Sequence, residues 1–343
     1  MALAILTSSS GLAEVGVRNP NGGKPEWMLL GDSCTDVDFA LGLIKRWTPP
    51  VDLSAISESA KLKAMNIEVV MEKNETTKNP DECQKPFTQT LPLWIQKALA
   101  NETNLDGPNC WGTALRAANL IPGFRFASAN EISFWMKSPL CQQLINQDPL
   151  PGDLYLLREK VNNTFREIHA MTYIAANLVF DKGGSQGQYG YKIADMFRRI
   201  RFQSNFVNPD QCTGVEGFPP QCTSVLHHFR CHSFESFRHS KVKFDQISFN
   251  QLSEKVQFFL NEVLDLEIQL SEILENKKPI NSAILQKHQR LLKIGIGEIS
   301  SDITNDTPLV THSKSESFLW TNLLFRLRSM DEHFKQVKQG LRD

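Results

Sequence analysis

Pro108-Asn109-Cys110-Trp111-Gly112-Thr113-Ala114-Leu115-Arg116-Ala117-Ala118 is the stretch around which the chain is organised. Gly107-Pro108 and Asn109 halt whatever precedes them. The Leu and Ala positions that follow have helical spacing, so the run predicts a helix with Cys110 in its first turn. A thiol at that place faces unpaired backbone N–H groups and the positive end of the helix dipole, which favour thiolate over thiol. The competing reading is a buried cysteine packed as a small hydrophobe.

Working outward, residues 91–101 predict a helix leading to the cysteine, and Ile121-Pro122-Gly123 stops the cysteine helix near residue 120. Further helices are expected over 128–138 and 140–145, followed by a turn at Asp148-Pro149-Leu150-Pro151-Gly152. A strand over 153–158, a polar loop over 159–164, an alternating strand over 165–175 and a strand over 178–181 complete the unit. Helix first and antiparallel strands afterwards predict an α+β fold, with a helix packed across a small sheet. His169 stands in the alternating strand and Asp181 closes the next one. A turn over 175–178 brings them to matching ends of neighbouring strands, where their side chains can meet on one face. A thiolate that attacks an amide needs a base within reach, a group orienting that base, and N–H donors for the oxyanion.

Asn109-Cys110-Trp111-Gly112 at a helix start, Pro151-Gly152-Asp153-Leu154 about forty residues later and His169 leading a strand resemble the NlpC/P60 cysteine peptidases in order and spacing, over roughly residues 90–190. The resemblance implies a papain-like core and cleavage of an amide bond in peptidoglycan stem peptides or another peptide. It implies Cys110 as nucleophile, His169 as general base and then acid, and Asp181 as the group orienting the imidazole. It places Asn109, Trp111, Gly112 and Asp153 beside the substrate and calls for no cofactor and no metal. That family usually has Asp before the cysteine and Ser, Thr or Arg after it, where this chain has Asn109 and Trp111, and its third residue is commonly His. Two other readings stay open. One is a transglutaminase-like acyl transferase, whose helix and strands also carry Cys, His and Asp and whose sequence residues 115–122 resemble. The other is a non-catalytic binding protein on a degenerate papain-like scaffold.

Around this core, residues 1–13 resemble a secretory signal without a charged start, and residues 14–86 form a mixed N-terminal extension. The extension is expected to hold loops over 15–31 and 72–86, helices over 36–47 and 56–64, and a strand over 67–71. The catalytic unit is assigned to 87–240, with the glycine-rich 183–190 as a rim loop and Arg198, Arg199 and Arg201 as a solvated basic face. Residues 241–343 predict three amphipathic helices, over 256–273, 282–303 and 317–339, able to pack a core or present a partner surface.

Composition bounds the rest. A net charge of -1 over 343 residues gives no field that would recruit nucleic acid, and no apolar run is long enough for a transmembrane helix. Setting Cys110 aside, the seven cysteines leave six, enough for three disulfides and suited to an oxidising compartment. Together with the signal-like start this places the chain as secreted or periplasmic. Asn74, Asn101, Asn162 and Asn305 begin glycosylation patterns that matter only in a host that uses them. Cys212, Cys222, His227, His228, Cys231, His232 and His239 could bind zinc, but no Cys-x-x-Cys spacing supports it, and disulfides with surface histidines are the expectation.

Overall fold

The computed structural model describes residues 27–31, 34–45, 67–71, 83–86, 88–100, 108–161, 164–175, 178–185, 190–203, 209–241, 243, 248–275, 280–304 and 314–340. The signal-like start, the helix expected over 56–64, the tip of the glycine-rich loop and the four glycosylation asparagines lie outside the described residues.

The fold is α+β. A small antiparallel sheet, in the order β2-β1-β3, is built from β1 (Trp27–Gly31), β2 (Ile67–Met71) and β3 (Cys83–Pro86). Helix α1 (Cys34–Lys45) lies against β1 and β3 and reaches the main sheet. β1 and β3 fall where loops are expected, because their pairing with distant residues supplies what local pattern does not.

The main sheet has six antiparallel strands in the order β4-β9-β5-β6-β7-β8. These are β4 (Cys141–Leu144), β5 (Leu154–Val161), β6 (Thr164–Ala175), β7 (Leu178–Lys182), β8 (Tyr191–Asp195) and β9 (Ser224–Cys231). The β5-β6-β7-β8 run is a meander of short connections, while β9 returns late to separate β5 from β4. Leu150-Pro151-Gly152-Asp153 makes the turn into β5: Gly152 takes φ 96°, and the Asp153 N–H donates to the Leu150 carbonyl at 2.9 Å. Proline followed by a residue of positive φ is what a type II turn demands.

Helix α2 (Leu93–Ala100) precedes α3 (Cys110–Ala117), which lies across β6 and β7. α3 ends before residue 120 because Asn119 turns left-handed at φ 54°, its side chain accepting from Arg116 and its carbonyl from the Phe234 N–H. α4 (Ala129–Met136) starts on the Ser128 cap. The segment after it is a strand and not the expected helix. β4 pairs with β9, and Cys141 is disulfide-bonded to Cys231, so tertiary pairing overrides a weak local preference. Three further short helices follow: α5 (Met196–Gln203), α6 (Pro209–Cys212) and α7 (Phe234–Arg238).

Three long helices close the chain: α8 (Glu254–Glu275), α9 (Ser282–Thr304) and α10 (Lys314–Gly340). Most of their apolar positions are spent inward, while Phe258, Ile268, Ile294 and Ile296 stay exposed. Leu260, Leu266, Leu291, Trp320 and Leu327 belong to the same buried cluster as Ala114, Leu115, Leu154 and Ala170. The C-terminal helices and the cysteine helix therefore share one core, and the boundary expected at residue 241 is no break in packing. Among the described residues no helix is long and apolar enough to cross a membrane.

Candidate active site

Asn109 caps α3 with an extended backbone, its Oδ1 accepting from the Gly112 N–H at 3.0 Å and the Ala127 N–H at 3.2 Å. Its Nδ2 donates to the Ala127 carbonyl at 2.8 Å. One side chain thus stops the preceding chain, starts the helix and ties it to the 124–128 loop. Gly112 brings the same two segments together: a Cβ there would lie 1.8 Å from the Arg125 carbonyl oxygen.

The C-terminal helices hold that loop in turn. Arg125 ion-pairs with Glu131 at 2.6 Å and with Glu267 of α8 at 2.7 Å, and Arg326 of α10 pairs with Glu267 as well. All four side chains are buried. Burial would lower the Arg125 pKa, but Glu131 and Glu267 outweigh it and raise it above its ordinary value. The Phe126 N–H donates to His333 Nδ1 at 2.9 Å, and the Ser128 N–H to Ser329 Oγ at 3.0 Å. The helix that carries Cys110 is thereby fixed to residues more than two hundred positions away.

Cys110 is a free thiol, buried to 7 % exposure. His169 reaches it from β6, where a register shift opposite Leu157 and Arg158 leaves Ile168 unpaired just before the histidine. Bulges of this kind re-aim the next side chain. Thr172 faces Phe180 across β6 and β7, so Met171 falls opposite Asp181, and His169, two residues along, shares its face. His169 Nε2 lies 2.7 Å from Asp181 Oδ1, and both residues are buried. The ring N–H is not aimed along this line, so the contact is an ion pair more than an aligned hydrogen bond.

Burial favours the neutral ring, but the charges of Asp181 and Cys110, both within hydrogen-bonding reach, outweigh it and raise His169 to about 10. Burial favours the protonated carboxyl of Asp181 too, yet His169, Arg199 and Lys192 hold it below the usual carboxylate value. An imidazolium beside a sulfur and a carboxylate can donate a proton to a leaving group.

The structure thus brings together Cys110, His169 and Asp181, which the sequence separates by as many as 71 positions. It gives the other expected site residues different occupations. Asn109 and Gly112 are consumed by the cap and by the contact with Arg125. Asp153 lies buried at the start of β5, accepting from the Leu150 N–H at 2.8 Å and pairing with His228 and Arg230, each at 2.7 Å. It anchors a turn and is closed to substrate. Trp111 packs beside the cysteine against the main core, and its indole N–H is buried without a hydrogen-bond partner among the described residues.

Of the basic face expected at Arg198, Arg199 and Arg201, Arg201 is exposed, but Arg199 is not. Its side chain is buried, with Nε 2.5 Å from Asp181 Oδ2. Met196 and Ile200, at helical spacing around it, were the signal that this face of α5 points inward.

The cysteine and histidine group near residue 230 is also otherwise engaged. Cys212 is bonded to Cys222 and Cys231 to Cys141, and Cys34 too is in a disulfide. His227 meets Arg158 Nη1 at 2.9 Å and the Gly217 carbonyl at 2.7 Å, while His228 meets Asp153. Among the described residues no cluster of His, Cys, Asp and Glu is arranged to hold a metal.

No family model, curated protein or solved structure matches the chain. What the site can do therefore rests on its own geometry.

Proposed function

We propose that this chain is a cysteine hydrolase of papain-like, NlpC/P60-type architecture that cleaves an amide bond, with peptidoglycan stem peptides as its substrate class. One observation carries the reading: the free cysteine opens a helix within reach of a buried imidazole that a buried carboxylate contacts.

The Cys110 sulfur attacks the amide carbonyl carbon, and the oxyanion is held by the Cys110 N–H, which the Asn109 cap does not use. His169, protonated, gives its proton to the departing amine as the C–N bond breaks, leaving a thioester. The neutral ring then takes a proton from water, whose oxygen attacks the thioester, and the acid and the thiolate are released. Asp181 holds the ring and stabilises its charge throughout. The disulfides support a secreted or periplasmic setting.

Purified wall material incubated with the protein and analysed by mass spectrometry tests this. Cys110→Ala is expected to abolish the appearance of cleaved stem peptides, and undiminished cleavage by that variant would discard the hydrolase. Adding a primary amine to the same reaction separates hydrolysis from acyl transfer.

The 7 % exposure of Cys110 favours a second reading, a non-catalytic scaffold that keeps the thiol buried. Iodoacetamide at neutral pH decides between them: a thiolate paired with imidazolium labels selectively and fast, and an inert core cysteine does not.

A further inference from the structure

The two oxygens of the Asp181 carboxylate face different partners. Oδ1 faces His169 at 2.7 Å and Oδ2 faces Arg199 at 2.5 Å, all three being buried. The arginine comes from α5, whose other described side chains have no part in the site, and reaches the carboxylate because Met196 and Ile200 seat that helix in the core. We propose that Arg199 is a positioning residue for the Cys110 and His169 pair: it fixes the Asp181 carboxylate in place and draws off part of its negative potential, keeping the imidazolium acidic enough to release its proton.

The titratable and charged groups facing this centre are Cys110 from α3, His169 from β6, Lys192 opposite Asp181 on β8, and Arg199 from α5. A carboxylate that met only the ring would stabilise its charge fully. That would make it a poorer acid toward a departing amine, since general-acid efficiency follows how readily the proton is given up. A buried guanidinium is the group suited to this task, because it stays charged and holds a carboxylate in fixed geometry.

The same sheet contains a natural control. Asp153 pairs with His228 and with Arg230, but there the imidazole stacks on Tyr155, ring centroids 4.9 Å apart, while the free cysteine sits with His169. A His-Asp-Arg group can thus be purely architectural in this fold. What singles out Arg199 is that its histidine meets a thiol.

This inference rests on the reading of Cys110 and His169 as a working pair, and its test has a readout that does not depend on turnover. The protein with isotope-labelled histidine is titrated by NMR as wild type, Arg199→Met, Arg199→Gln, Arg199→Lys and Arg230→Met, and the pH dependence of Cys110 alkylation is followed in each. Loss of the guanidinium charge is expected to raise the His169 midpoint by about one pH unit, the order set by a unit charge a few ångströms beyond the carboxylate. The alkaline limb of the alkylation profile should move with it. Arg199→Lys should restore most of the wild-type midpoint, and Arg230→Met should leave it unmoved. A folded Arg199→Met or Arg199→Gln whose His169 titrates as in wild type would overturn the proposal. So would failure of both neutral variants to fold, since that would make the arginine architectural. A shifted midpoint in a protein that cleaves nothing would discard the hydrolase and keep the role of Arg199; cleavage with no shift would discard that role alone.

Discussion

Gly112→Ala tests whether the first turn of α3 is held against the 124–128 loop as the structure has it. The added Cβ would stand 1.8 Å from the Arg125 carbonyl oxygen, 3.0 Å from its carbon and 3.4 Å from the Ala127 nitrogen. A carbon and a carbonyl oxygen approach no closer than about 3.3 Å, so the two segments must separate by about 1.5 Å. The loop cannot yield easily, because Arg125 is gripped by Glu131 and Glu267 and the Phe126 N–H by His333. The helix must move, and Cys110, two residues away, moves with it. Alanine gains about 1 kcal/mol over glycine in helix propensity, whereas forcing atoms into a packed contact costs about 3 kcal/mol or more when backbone is the obstacle. The net expectation is a loss of about 2 kcal/mol in urea unfolding, with slower Cys110 alkylation in the fraction that stays folded. Gly297, exposed on α9 with nothing within 4 Å of its Cβ position, is the matched comparison, and alanine there should stabilise by about 0.5–1 kcal/mol. A Gly112→Ala protein as stable as wild type and alkylated at the same rate would refute the argument that this contact positions the cysteine.

Acid should destabilise the fold through two buried neutral histidines. Burial lowers His227 to about 4 and His333 to about 3, while both titrate near 6.5 in the unfolded chain. The unfolded state therefore binds protons first, and stability should fall by several kcal/mol as pH drops from about 6.5 toward 3–4, read as Tm against pH. His169 works in the other direction. Its pKa is raised to about 10, so its contribution is complete below about 6.5 and is lost as pH rises through 10; Tm should fall on that alkaline limb in wild type and less steeply in His169→Gln. Glu267→Gln removes the charge shared by Arg125 and Arg326, and leaving buried guanidiniums underpaired should cost about 3–5 kcal/mol in urea unfolding. Urea titrations at 0.05 and 0.5 M salt should give the same loss, because a buried pair is barely screened.

What could be read from sequence follows one physical division. The stop at Asn109, the helix carrying Cys110, the helix after residue 128, the turn at Pro151-Gly152, the β6 and β7 strands and the three C-terminal helices were all legible. Each is set by residues a few positions apart, through periodicity, turn chemistry or capping. The pairing of His169 with Asp181 belongs to the same class, because a short connection between adjacent strands decides it. β9 was not legible: Ser-Val-Leu-His-His-Phe-Arg-Cys shows no alternation because six of its eight residues are buried, on both faces of an interior strand. β4 was misread because only its partnership with β9 makes Cys141–Leu144 extended.

The tertiary structure alone decided that Arg199 meets Asp181, that Asp153 is taken by His228 and Arg230, and that Arg125 meets Glu267 across 142 positions. A buried charge is unfavourable wherever it stands until a partner of opposite sign arrives. Periodicity can hint that an arginine faces inward, but only the closed chain, having met the entropy of bringing distant segments together, shows which carboxylate it meets.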